Sequence, residues 1–414
     1  MSRRTLATAL VSMVLLAVGL AVVPLATAPA GGRAAPVAAA VERADRPLYR
    51  FVAAPDFLNQ DVGDVRQLPT WRPGLPNSWT PQLQASIDRV LDEIAARDPG
   101  SVLVAGDLVE GHWGRDSERT GLFGPTRTRQ QKLRALRRAA DFYYRTYERR
   151  FATRGLTLHA AVGDHEIGDN PWAGGRATRR FKQRHVDVAK QAFARHFTQV
   201  HGRPRYHDRP VGSPWADTAY AVRLAPEVLL VTVDQFHRTR ADVRFEVVGR
   251  QLAWLRDTLR RARREGVRWI VVQGHNPVLW PVRSRRSSRG HLLGGARSSF
   301  WRTLVRFDVD LYLSGEVHDT SRRRAGGVTQ VSTGGLLYAG NATYLSVDVH
   351  ARRLELDVRE LSGDVDRELL WQTSGPRTYA TTTYDAGSRS VGRMTLRADG
   401  RAAQATGKLR EYRR

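Results

Sequence analysis

Six short runs of apolar and β-branched residues recur along the chain: LYRFVAAPD, SVLVAGD, LTLHAAVGD, EVLLVTVDQ, RWIVVQGH and VDLYLSGEVH. Each ends on, or is followed at once by, an acid or a histidine: Asp56, Asp107, Asp164 with His165, Asp234, His275, and Glu316 with His318. Longer polar stretches of helical spacing lie between them, for instance Pro81 to Ala96 and Val248 to Ala262. This alternation predicts a layered α/β protein. Ligands of open α/β sheets bind beyond the carboxyl ends of the strands, so six strands delivering such residues to one edge predict a polynuclear metal site. Any one of them alone reads as a polar loop residue; the set does not.

Glycine precedes the polar residue in four places, Gly106-Asp107, Gly163-Asp164, Gly274-His275 and Gly315-Glu316. A glycine there lets the backbone turn sharply and come close to an ion or phosphate. A turn glycine alone would not explain why a ligand-type residue follows each time.

The first residues read as an export signal, with Arg3 and Arg4, an apolar core from Leu6 to Leu25 and a small-residue cleavage motif at Ala28-Pro29-Ala30. The competing reading is an uncleaved anchor, and Ser2 to Leu6 also loosely fits a twin-arginine signal. Residues 1–30 are thus expected to be a signal, and the Ala, Pro and Gly-rich residues 31–48 a linker. The α/β domain is expected over 49–363. A β-rich extension follows over 364–414, with Asp399-Gly400 as a tight turn. The protein is expected to be secreted or held at the cell envelope.

Absence of cysteine rules out disulfides and thiolate metal sites. Net charge is +25, and loss of Arg3 and Arg4 with the signal takes it to +23. Such a surface attracts an anionic polymer or a membrane surface. The arginines are scattered, however, and no nucleic-acid-binding motif is present. Oligomeric state leaves no trace in the sequence.

The ordered motifs resemble those of the calcineurin-like metallophosphoesterases, which include purple acid phosphatases and many secreted phosphodiesterases. The matching residues are Asp56-Phe57-Leu58, Gly106-Asp107-Leu108-Val109-Glu110, Gly163-Asp164-His165-Glu166, Gly274-His275-Asn276-Pro277 and Gly315-Glu316-Val317-His318, within Tyr49 to Gly363. The resemblance implies two packed mixed β-sheets flanked by helices, with a small C-terminal β appendage. It implies one metal on Asp56, Asp107 and His318, and a second on Asp107, Asp164, His275 and Glu316. It also implies hydrolysis of a phosphate mono- or diester by a metal-bridging hydroxide attacking in line. His165 would face the phosphate as acid or charge stabiliser, with Glu166 orienting it.

Three positions depart from the family pattern: Leu58 and Glu316 stand where it has histidine, and Asp164 where it has asparagine. The first metal is then short of a protein ligand, which Asn59 or water would supply. Two divalent ions carry +4 and Asp56, Asp107, Asp164 and Glu316 carry −4, so a bridging hydroxide leaves the core negative and opposes an anionic substrate. The metals implied are two divalent ions from Mn, Mg, Ca, Fe or Zn, and the oxygen-rich ligands favour Mn or Mg. Arginines of the loop RSRRSSRGHLLGGAR, Arg283 to Arg297, would offset the charge over the metal edge, with Arg289, His291 and also His112 as phosphate contacts. Asp169 lies outside the motif and reads as a turn residue. The alternative is a catalytically impaired protein of the same fold that binds an anionic polymer or surface.

Overall fold

Strands that bury both faces carry continuous apolar sequence, and the central strands here do. The computed structural model describes residues 46–56, 61–114, 120–285, 287–335, 341–372, 375–384, 387–398 and 402–413. In chain order the strands are β1 Tyr49–Ala53, β2 Ser101–Val104, β3 Leu158–Ala160, β4 Gln199–Val200, β5 Arg203–Pro204, β6 Tyr220–Ala225 and β7 Val228–Thr232. They continue with β8 Phe236–Arg238, β9 Val243–Phe245, β10 Trp269–Gln273, β11 Leu311–Ser314, β12 Ser321–Ala325 and β13 Val328–Ser332. The last are β14 Asn341–Val349, β15 Arg353–Gln372, β16 Gly375–Tyr384, β17 Arg389–Arg397 and β18 Ala402–Ala403. The helices are α1 Pro81–Ala95, α2 Arg129–Ala152, α3 Arg176–Phe197, α4 Gly249–Arg264 and α5 Ser299–Arg306.

One sheet runs β18-β17-β15-β14-β1-β2-β3, with β16 paired to β15, and the other runs β12-β13-β11-β10-β7-β6. Both are mixed: β1, β2 and β3 are parallel while β14 is antiparallel to β1, and β7, β10, β11 and β13 are parallel while β6 and β12 are antiparallel. The alternation along each strand sorts the core into layers. Phe51, Ala53, Leu103, Trp269, Val271, Leu311 and Leu313 meet between the sheets. Their neighbours Val52, Val102 and Val104 face Leu83, Ile87, Val90 and Tyr143 of α1 and α2. Ile270, Val272 and Tyr312 face Leu255, Leu259 and Phe300 of α4 and α5. The result is helix, sheet, sheet, helix, as the resemblance implies.

Local chemistry sets the helix ends. Thr80 caps α1, its side chain accepting from the Leu83 N–H, and Pro81 sits where no intrahelical N–H is needed. Thr128 and Gln131 form a reciprocal capping box on α2. The predicted boundaries of α1 and α4 agree with the structure to within two residues.

The boundary expected after Gly363 falls inside β15, a 20-residue strand that pairs with β14 in its first part and β16 in its second. The C-terminal β-strands are present, but β17 and β18 lengthen the first sheet and do not form a layer of their own. The expected signal, most of the linker, Leu58, Asn59 and the Asp399-Gly400 turn lie outside the described residues. No described helix is long and apolar enough to cross a membrane.

Candidate metal centre

Parallel strands β1, β2 and β3 of one sheet and β10 and β11 of the other end on the same edge, and their next residues converge. Ligand atoms of Asp56, Asp107 and His275 lie within 4.8 Å of one another, as do those of Asp107, Asp164 and His165 and those of Asp164, His275 and Glu316. All of these side chains are buried. The backbone turns into the site at unusual angles: φ is 51° at Asp56, 62° at Asp107, 69° at Glu316 and 52° at His318. Side-chain-bearing residues seldom hold such values, which concentrate at functional sites.

The glycines allow the loops to touch. A Cβ on Gly106, whose φ is 92°, would stand 2.6 Å from His275 Nδ1 and 2.7 Å from the Gly163 Cα. One on Gly163 would stand 2.2 Å from Asp107 Oδ1.

His275 is central. Its Nδ1 lies 2.7 Å from the Ala105 carbonyl, to which it donates, so Nε2 is left as the ligand atom. Nε2 faces Asp164 Oδ1 at 2.9 Å, Asp107 Oδ2 at 3.3 Å and Glu316 Oε2 at 3.5 Å. Burial pulls the His275 pKa down, but these carboxylates outweigh it and hold the pKa well above the usual histidine value. Burial and the neighbouring Asp107 and Glu316 charges push Asp164 up to about 7. Asp56 is raised well above the carboxylate range, first by burial. His318, whose Nε2 is 3.9 Å from Asp56 Oδ1, is lowered by burial to about 4 and is neutral.

Two buried groups remain unmatched. Asp56 Oδ1 accepts the Glu316 N–H at 2.9 Å, but among the described residues its Oδ2 has no hydrogen-bond partner, nor does either end of the Asn276 side-chain amide. Buried polar atoms without partners are costly, and four carboxylates in so small a volume repel each other. Divalent cations give the Asp56 oxygen a partner and offset the carboxylate repulsion, so the residues present fit a metal centre.

His165 Nδ1 is 2.8 Å from the Glu110 carbonyl, which leaves Nε2 for a ligand. Burial lowers its pKa, but Asp107, Asp164 and Asp169 outweigh burial and raise it well above the usual value. Glu166 does not orient His165, contrary to expectation. Its Oε2 accepts the backbone N–H of Asp107 at 2.8 Å and of Gly163 at 2.7 Å, and its Oε1 accepts that of Leu108 at 2.8 Å. It clamps two ligand-bearing loops together.

Two further expectations change. Asp234 ends a strand but does not join the cluster: its Oδ2 meets Lys190 Nζ and the Thr218 hydroxyl, both at 2.6 Å. His112, expected on phosphate, is buried and bonded to Asp169. Asp169 does stand in a turn, with φ 55°, but its carboxylate also receives Lys182 at 2.9 Å and lies 3.8 Å from His165 Nδ1. Sequence reading misses this buried charge group because Lys182 comes from α3, whose polar residues look like an ordinary solvated face. Arg289 and His291 are exposed, whereas Ser288 and Gly290 of the same loop reach Glu316.

A family model for calcineurin-like phosphoesterases matches residues 62–319, more than half of the chain. The chain belongs to the calcineurin-like phosphoesterase family. Members of this family depend on two metals, and the acidic and histidine groups described above are able to hold them. No curated protein matches this chain. Solved structures similar to it include one described as a 5'-nucleotidase from Staphylococcus aureus, at 14% identity and TM-score 0.35, covering 81% of this chain and 54% of that one. The chain thus spans about half the length of that protein. Calcineurin-like phosphoesterase YfkN from Bacillus subtilis is 11% identical, with TM-score 0.33 and coverage of 82% and 92%. GAP50, the anchor in the inner membrane complex of Plasmodium, is 12% identical, with TM-score 0.34 and coverage of 81% and 89%. The family assignment rests on the sequence match and not on these likenesses.

Proposed function

We propose that this centre hydrolyses phosphate esters, mono- or diesters, with Asp56, Asp107 and His318 holding one divalent cation and Asp107, Asp164, His275 and Glu316 the other. Cations held there supply Lewis acidity toward phosphate oxygens and lower the pKa of attacking water. The protein's part is orientation and charge. His275, fixed through the Ala105 carbonyl, presents one nitrogen. Glu166 fixes the Asp107 and Asp164 loops relative to each other through three backbone N–H groups.

His165, fixed at Nδ1 by the Glu110 carbonyl, carries its remaining N–H toward the phosphate. There it offsets negative charge and gives a proton to the leaving oxygen. Arg289, exposed beside the Ser288 contact with Glu316, is a loop cation available to a substrate phosphate. The oxygen-rich ligand set favours Mn or Mg. The pattern around Arg3, Arg4 and Leu6 to Leu25 supports export, which the N-terminal sequence of the mature protein tests.

The observation that carries the metal reading is His275, with one nitrogen committed to backbone and the other within 3.5 Å of three buried carboxylates. A metal-free binding module has no use for four buried carboxylates gathered around one imidazole, which only retained protons would then balance. The test is hydrolysis of 4-nitrophenyl phosphate and bis(4-nitrophenyl) phosphate with added Mn or Mg. Turnover lost in Asp107→Asn, by more than the roughly 10- to 100-fold cost of removing an outer metal-site partner, supports the proposal. No turnover with any divalent ion refutes it.

A further inference from the structure

Glu316 stands where the family pattern carries histidine, and a histidine offers a metal one nitrogen. A carboxylate offers two oxygens and a full negative charge, so the exchange alone would alter both ligand count and charge. The structure holds a compensating device in the loop that follows the lone Gly-His motif. The Ser288 hydroxyl donates to Glu316 Oε1 at 2.6 Å, and the Gly290 N–H donates to the same oxygen at 2.9 Å. Oε2 takes neither bond and is the oxygen turned toward His275 Nε2, 3.5 Å away.

The loop is built to reach this oxygen. The Arg285 N–H donates to the Val317 carbonyl at 2.8 Å and the Leu292 N–H to the Pro277 carbonyl at 3.0 Å, which ties the loop to both motifs it spans. Gly290 itself has no room for a side chain, since a Cβ would lie 2.6 Å from the Asn276 amide nitrogen and 3.4 Å from the Glu316 carboxylate.

We propose that Ser288 and the Gly290 N–H are positioning groups that turn Glu316 into a ligand with a single free oxygen. They make this loop an integral part of the metal centre, fitting a carboxylate to a place that calls for a one-atom ligand. Two hydrogen bonds to Oε1 occupy its lone pairs, draw off part of the charge and fix the side-chain rotamer before a cation arrives. The device works through polar neutral groups, so it adds no positive charge that would repel the cation.

The inference rests on the reading of the site as a metal centre, and the experiment separates the two. Mn is titrated calorimetrically into the full chain as wild type, Ser288→Ala, Ser288→Thr, Glu316→His and the Ser288→Ala/Glu316→His double variant. Ser288→Ala is expected to weaken Mn binding roughly 10- to 100-fold, and Ser288→Thr, which keeps the hydroxyl, to restore it. In the Glu316→His background the same alanine change is expected to cost nothing, because the oxygen it serves is gone; a general packing role would cost the same in both backgrounds. Melting of the metal-free proteins checks that the variants fold. Wild-type affinity in Ser288→Ala, or an equal loss in both backgrounds, overturns this inference alone. No Mn binding by the wild type overturns it together with the metal reading.

Discussion

Glu166 accepts the backbone N–H of Asp107 at 2.8 Å across 59 residues of sequence, so a carboxylate of one motif fixes the main chain of another. Its other bonds, to Leu108 and Gly163, leave it fully engaged and 1% exposed. Glu166→Gln places an amide NH2 against backbone N–H groups and leaves at least one donor without an acceptor. The expected loss is about 1–3 kcal/mol of stability, read as a lower melting temperature of the metal-free protein. Weaker Mn binding should accompany it as the Asp107 loop loosens. Unchanged melting would refute the clamp.

Asp234 supplies a contrasting test, since it ends a core strand yet pairs with Lys190 at 2.6 Å, away from the metal ligands. Lys190→Met leaves a fully buried carboxylate without its cation and should cost about 3–5 kcal/mol in a denaturant titration. If Asp234 is purely structural, the folded variant binds Mn as the wild type does.

Glu110 gives a pH dependence with a definite sign. Burial first, then the charges of Asp169, Asp61 and Asp107, raises its pKa from 4.5 to about 8. Between those values the unfolded chain has released the proton and the folded chain keeps it, so the folded state binds more protons and stability falls as pH rises. The group's contribution to that slope is at most about 1.4 kcal/mol per pH unit. Glu110→Gln should remove it, so the variant gains on the wild type in chemical denaturation between pH 5 and pH 8. Parallel pH profiles would contradict this account of Glu110.

Arg289 is exposed, and among the described residues its backbone N–H donates to the Ser287 hydroxyl while its guanidinium has no hydrogen-bond partner. Arg289→Ala should leave melting and Mn binding unchanged and raise KM severalfold for a phosphate ester, with kcat held. Equal kinetics in both proteins would show that the loop arginine does not meet substrate.

The sequence carried the layered fold and most of the cluster because both depend on short-range pattern. Apolar runs of strand length, each closed by an acid or histidine, mark the carboxyl edge of parallel strands, and that is where Asp56, Asp107, Asp164, His275 and Glu316 meet. Gly106 and Gly163 were legible for the same reason, as adjacent residues in a tight turn. The same rule misplaced Asp234, because a strand-end acid looks alike whether a cation or Lys190 receives it. Whether Glu166 turns to His165 or to three backbone N–H groups depends on how two loops dock, and no local pattern encodes that. The contacts of Lys182 with Asp169 and of Ser288 with Glu316 join residues 13 and 28 positions apart through the fold. In the basic loop the arginines drew attention by their charge, while the residues that touch the site are a serine and a glycine.

The central claim is that these buried acids and histidines form a metal centre, and calorimetric titration of the metal-free protein with Mn tests it most directly. The account predicts saturable binding of two ions per chain, reduced in Asp107→Asn, the ligand shared by both. A flat titration of folded wild-type protein, or identical binding by Asp107→Asn, would contradict it.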